Sequence, residues 1–229
     1  MKGDRVFGWS SDASTYTANR PMPERFVDRS LRAFSDDIAS DAPVPGGGSA
    51  SAFAGAMGAA LAAMVARIAS KKSEDEALRD YIAEMDNLRA DFLRLVDDDS
   101  AAYARVAEAM KLPRNTDAEK AARTERVQSS LLAASRVPLE LARTSRRLLD
   151  ACERGLANAP SAAVSDIGVG AILSEAALEG AAMNVMINLA SVKDRGQVKA
   201  LSEDLDRAIE GAAAQRKRIT DFVESRIAR

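Results

Sequence analysis

Asp99 interrupts an apolar stripe. Phe92, Leu95, Asp99, Tyr103, Val106 and Met110 follow one another at steps of three or four, the spacing of a single helix face. Burying a carboxylate there without a partner is costly and raises its pKa. Such a group can serve as a general acid or base, or as a counter-charge for a cationic ligand. The alternative is an edge position paired with an arginine, as in a structural network. A second polar set lies on a later helix, where Asp166 and Asn184 fall on one face and Asn188 stands one turn beyond Asn184. Two amides one turn apart can meet one planar ligand. Asp166 and Asn184 are about 27 Å apart at 1.5 Å per residue, too far to share a small group within one subunit. Only a long ligand or a second subunit would unite them. Ser165-Asp166 could equally be a helix cap.

Two further segments suit ligand binding. Gly46-Gly47-Gly48-Ser49 opens a helix, and its free backbone N–H groups can cradle an anion or a carbonyl oxygen. It lacks the Gly-Lys-Ser/Thr ending of a phosphate loop and follows no strand. Lys71 and Lys72 close the same helix and could hold a carboxylate, or simply favour its C-terminus.

Composition narrows the chemistry. The chain of 229 residues has no histidine and one cysteine, Cys152. Ser-His-Asp and Cys-His systems, His-ligated zinc and intramolecular disulfides are therefore excluded, and no metal site is expected. Lys and Arg total 32 against 34 Asp and Glu, for a net charge of −2, which gives no electrostatic reason to expect a nucleic-acid partner. The first 22 residues carry no apolar run and do not resemble a secretory signal. They read as a flexible tail, residues 23–229 as one helical domain, and the setting as cytoplasmic.

The elements that must position these residues are helical. Aromatics are only 4% of the chain and no segment alternates with period two. We expect an all-α bundle of about six mostly long helices. The first starts at Pro23 or Glu24, with Val27, Leu31, Phe34 and Ile38 on one face. The second has no charge from Ala50 to Ala66 and a ridge of Phe53, Met57, Leu61, Met64 and Ile68. It is too short and too rich in Ala and Gly for a membrane span, so it reads as fully buried, with a subunit interface supplying some of its neighbours. Ser73 with Glu76, Thr116 with Glu119 and Asp194 with Gln197 are capping-box pairs for later helices. Pro138 should kink the fourth helix, and the last carries Leu205, Ile209, Ile219 and Phe222 inward.

Taken in order, several segments resemble a known family. Pro43-Val44-Pro45-Gly46-Gly47-Gly48-Ser49-Ala50-Ser51-Ala52 running into Met57-Gly58-Ala59-Ala60-Leu61-Ala62-Ala63-Met64-Val65 is similar to the opening of the formiminotransferase-cyclodeaminase C-terminal domain. Lys71-Lys72, Asp98-Asp99, Leu112-Pro113-Arg114-Asn115-Thr116 with Glu119-Lys120, Ser165-Asp166 and Asn184-Val185-Met186-Ile187-Asn188-Leu189 also fit. The resemblance covers roughly residues 24 to 227 and implies an all-helical homodimer acting on reduced folates. It implies a methenyltetrahydrofolate cyclohydrolase first, a formiminotetrahydrofolate cyclodeaminase second, and a non-catalytic folate-binding or assembly module third. Neither reaction needs a metal or a redox cofactor. In either enzyme Asp99 or Asp166 would transfer the proton and Asn184 and Asn188 would bind the pterin or its carbonyl oxygen. Gly46, Gly47, Gly48 and Ser49, with Ser165 beside Asp166, would take polar folate atoms, and Lys71 or Lys72 the glutamate tail.

Overall fold

The structure, a computed structural model, describes residues 25–71 and 75–228. Within them lie seven α-helices and no strand: α1 (Leu31–Ile38), α2 (Gly47–Ser70), α3 (Glu76–Lys111), α4 (Asp117–Gly155), α5 (Val164–Leu189), α6 (Arg195–Ile209) and α7 (Ala212–Ile227). The expected tail, the start at Pro23 or Glu24, Lys72 and the Ser73 cap fall outside the described residues.

Local chemistry sets the helix ends. Thr116 and Glu119 form the anticipated capping box on α4. The Asp194 side chain accepts from Gln197 N to start α6, and Asp75 accepts from Ala77 N to start α3. The first expected helix is broken: Phe26–Asp28 is a single 3-10 turn, and Ser30 caps a separate α1. Leu31 is consequently 71% exposed, and of the predicted face only Phe34 is buried. The last expected helix is also two, because Gly211 adopts a φ of 69°, a left-handed conformation that suits glycine and stops α6. That break leaves Ile209 and Phe222 exposed, against expectation, while Leu205 and Ile219 are buried. α4 runs through Pro138 without interruption.

α2 and α5 form the centre, running antiparallel. A Cβ added at Gly47 would lie 3.7 Å from the Asn184 amide, and one at Gly58 would lie 2.9 Å from the carbonyl of Gly170. Two glycines facing each other let the backbones of α2 and α5 touch. Gly55 plays the same part towards Phe92 of α3. The expectation of a fully buried α2 is corrected: Ala52, Ala56, Ala59, Ala62, Ala63 and Ala66 are buried, whereas Met57 and Met64 of the large ridge are exposed. Close backbone packing uses the small face and leaves Met57 and Met64 outside, while Phe53 and Ile68 pack partly buried against the core. α5 shows the same inversion, with Val169, Ile172, Met183, Met186 and Ile187 exposed. By length and composition both helices could cross a membrane, but half of each apolar stretch is buried inside this bundle.

Candidate active site

Three consecutive carboxylates on α3 do three different things. Asp97 accepts from Phe26 N at 2.8 Å and from Arg25 Nε at 3.0 Å, tying the N-terminal segment to the bundle. Asp98 pairs with Arg94 on the surface. Asp99 turns the other way, to the first turn of α2, where its Oδ2 accepts from Ser49 N at 3.0 Å and Ser49 Oγ at 3.2 Å. Burial pushes its pKa up, and the two bonds from Ser49 only partly offset this. The edge position with an arginine partner does not occur.

Glycine explains how the carboxylate gets so close. A Cβ at Gly48 would sit 2.1 Å from Asp99 Oδ1. Any other residue there would drive the side chain off the helix end, where the dipole and free N–H groups favour a negative charge. Ser49 is fully buried, and its hydroxyl also lies 2.8 Å from Val96 O. Its N–H and hydroxyl hold Asp99 in place.

A cavity of about 200 Å³ opens beside this carboxylate, lined by Pro43, Val44, Gly46, Gly47, Gly48, Asp99, Ala102, Tyr103, Ala134, Asn184 and Asn188. Among the described residues Asp99 is the only charged side chain in its wall. The structure thus gathers the glycine turn, one aspartate and both asparagines from three helices and one loop. Asn184 Nδ2 donates to Gly180 O at 2.8 Å, and Asn188 Nδ2 donates to Ala134 O at 3.1 Å. Tyr103 belongs to this wall although its place in the apolar stripe marked it as core; lying one turn from Asp99 was the available signal.

The remaining expected residues sit elsewhere. Lys71 caps the far end of α2, about 36 Å along the axis from Gly47. Ser165 and Asp166 occupy the first turn of α5, at that same far end of the antiparallel pair. A larger cavity of about 350 Å³ lies there, bounded by Tyr81, Glu84, Arg154 and Ile167 among others. Burial pushes the Tyr81 hydroxyl well above its usual pKa, and it donates to Ala151 O. Among the described residues no group of three or more His, Cys, Asp or Glu could hold a metal ion.

Comparison with known proteins converges on this scaffold. Residues 30–207 match the formiminotransferase-cyclodeaminase family model. A methenyltetrahydrofolate cyclohydrolase of Methylorubrum extorquens is 36% identical over 201 residues, covering 86% of this chain and 97% of that protein. The formimidoyltransferase-cyclodeaminase of Rattus norvegicus is 37% identical over 177 residues, 75% of this chain but 33% of that longer protein. The crystal structure of formiminotetrahydrofolate cyclodeaminase from Thermotoga maritima superposes with a TM-score of 0.76 at 27% identity, covering 86% of this chain and 97% of that one. By the match over most of its length and the shared all-helical fold, the chain belongs to the formiminotransferase-cyclodeaminase family.

Proposed function

We propose that the chain is a methenyltetrahydrofolate cyclohydrolase, acting as a soluble cytoplasmic homodimer with Asp99 as its proton-transfer residue. The observation that carries the reading is a half-buried carboxylate of raised pKa, the one charged side chain among the described residues that wall the cavity. Water adds to the cationic carbon bridging N5 and N10, and Asp99 accepts one water proton. Asp99 then returns that proton to N5 as the bond from N5 to the bridge carbon breaks. The hydroxyl proton of the tetrahedral intermediate leaves to solvent, giving the 10-formyl product and one net proton. In its ionised form Asp99 also stabilises the positive charge of the substrate. No cofactor takes part.

A second subunit fits the geometry. A cavity of about 200 Å³ is smaller than the 300–1,000 Å³ usual for ligands of this size. Asn184 and Asn188 in its wall are flanked by exposed Met183, Met186 and Ile187. A partner seated on this apolar face would extend the pocket and cover its rim. Packed antiparallel, it would also bring its own α2 C-terminus and α5 N-terminus, with Lys71, Ser165 and Asp166, towards the first subunit's glycine turn.

Formiminotetrahydrofolate cyclodeaminase activity is the second reading, favoured by the Thermotoga maritima relative. The cyclohydrolase relative, of the same extent but 36% against 27% identical, supports hydrolysis as the first reading. The test is to give purified protein each substrate in turn. Loss of the 5,10-methenyl chromophore above the spontaneous rate, without turnover of 5-formiminotetrahydrofolate, is expected. Methenyl-folate accumulating from the formimino substrate would reverse the order, and no change in either would refute both.

A further inference from the structure

We infer that Pro138 is a positioning residue of this pocket, completing an acceptor set that makes the site prefer a cationic one-carbon folate to a neutral one. The inference rests on the folate reading above. Proline has no N–H, so the carbonyl four residues earlier in a helix loses its partner. In α4 that carbonyl belongs to Ala134, and it accepts from Asn188 Nδ2 of α5 at 3.1 Å. Pro138 is itself buried, and Ala134 and Asn188 both line the cavity. The proline thus leaves a backbone acceptor open where the neighbouring helix presents an amide.

The consequence is an orientation. An asparagine amide has one donor end and one acceptor end. With the NH₂ of Asn188 engaged by Ala134, its Oδ1 is left for the cavity. Asn184 is fixed in the same sense, its Nδ2 donating to Gly180 O at 2.8 Å. Asp99, Asn184 and Asn188 therefore offer three side-chain oxygens, each asparagine keeping one further N–H, and among the described residues neither lysine nor arginine lines the wall. The backbone N–H groups of Gly47 and Gly48 stand at the first turn of α2, where Gly48 faces Asp99 and Gly47 faces the Asn184 amide. Asp99 lies against that helix end, so the partial positive charge there already meets a full negative one. A positively charged bridge gains from this arrangement, and a neutral bridge of the same shape does not. The 5,10-methenyl substrate carries the charge and the 10-formyl product has lost it, so the same set favours product release.

The test compares the half-saturation concentration for 5,10-methenyltetrahydrofolate with the inhibition constant of 5,10-methylenetetrahydrofolate, whose bridge is uncharged. In the wild-type protein the neutral compound should bind about tenfold more weakly or worse, the order expected for hydrogen bonds to a charged group. Pro138→Ala should retain the fold, since alanine is the better helix former, and thermal melting checks this. In that variant the new N–H competes for Ala134 O, and the preference should fall about threefold or more. Asn188→Ala should have a similar effect, and P138A/N188A should do no more than N188A alone. An unchanged preference in P138A, additive effects in the double variant, or equal binding of both folates by the wild type would overturn the inference. A wild-type protein that neither hydrolyses methenyl-folate nor is inhibited by methylene-folate would overturn the folate reading, and this inference with it.

Discussion

Asp99 was legible because a carboxylate in a stripe of Phe, Leu, Tyr, Val and Met has to be explained by its surroundings. What it touches was not legible. Its partner Ser49 is 50 positions away, and no local pattern tells whether a serine at a helix start faces a ligand or a neighbouring helix. The same limit hid the roles of the two asparagines: their face was readable, but the carbonyls that hold their NH₂ groups lie on other turns and another helix. Asp99 also predicts a stability effect. Its pKa is raised in the folded protein, so its favourable contribution is present at acid pH and is lost as pH rises through that raised value. Asp99→Asn keeps an oxygen for Ser49 without the partly desolvated charge. It should melt at a higher temperature than wild type above pH 7, with the gap closing on acidification. A pH-independent gap, or a lower melting temperature at neutral pH, would show that the buried charge is not what costs stability.

At the scale of helices, periodicity and capping chemistry located α2 to α5 and the start of α6 well, because Thr116, Asp194 and the glycine turn act within a few residues of themselves. Sequence and structure part where the outcome depends on distant packing. Ser30 starts a new helix after the turn at Phe26–Asp28, whose backbone is held by Asp97 of α3. Gly211 could have continued a helix at modest cost and instead ends one. The largest difference is the polarity of α2. Ala and Gly faces pack because they bring backbones together, and the pairs Gly58–Gly170 and Gly55–Phe92 take that opportunity. Hydrophobic size alone pointed to the opposite face.

For the whole molecule, that inversion leaves an apolar surface across α2 and α5, from Met57 and Met64 to Val169, Ile172, Met183 and Ile187. In the proposed dimer a second copy would cover these residues beside the pocket. Sedimentation analysis should find a dimer, and Met183→Glu with Ile187→Glu should convert it to a monomer with little folate turnover. A wild-type monomer at micromolar concentration, or a fully active monomeric variant, would contradict the shared site. The separation of Asp166 and Lys71 from the glycine turn follows from the rise of a helix alone, and in the proposed dimer the antiparallel pairing of α2 with α5 would let one end of a subunit serve the other end of its partner. The most direct test of the account is hydrolysis of 5,10-methenyltetrahydrofolate by wild type and Asp99→Asn side by side. The variant should lose a factor of about 100 or more in turnover, as expected for removal of a general acid–base group. A variant that hydrolyses the substrate at the wild-type rate would remove Asp99, and the pocket built around it, from the chemistry.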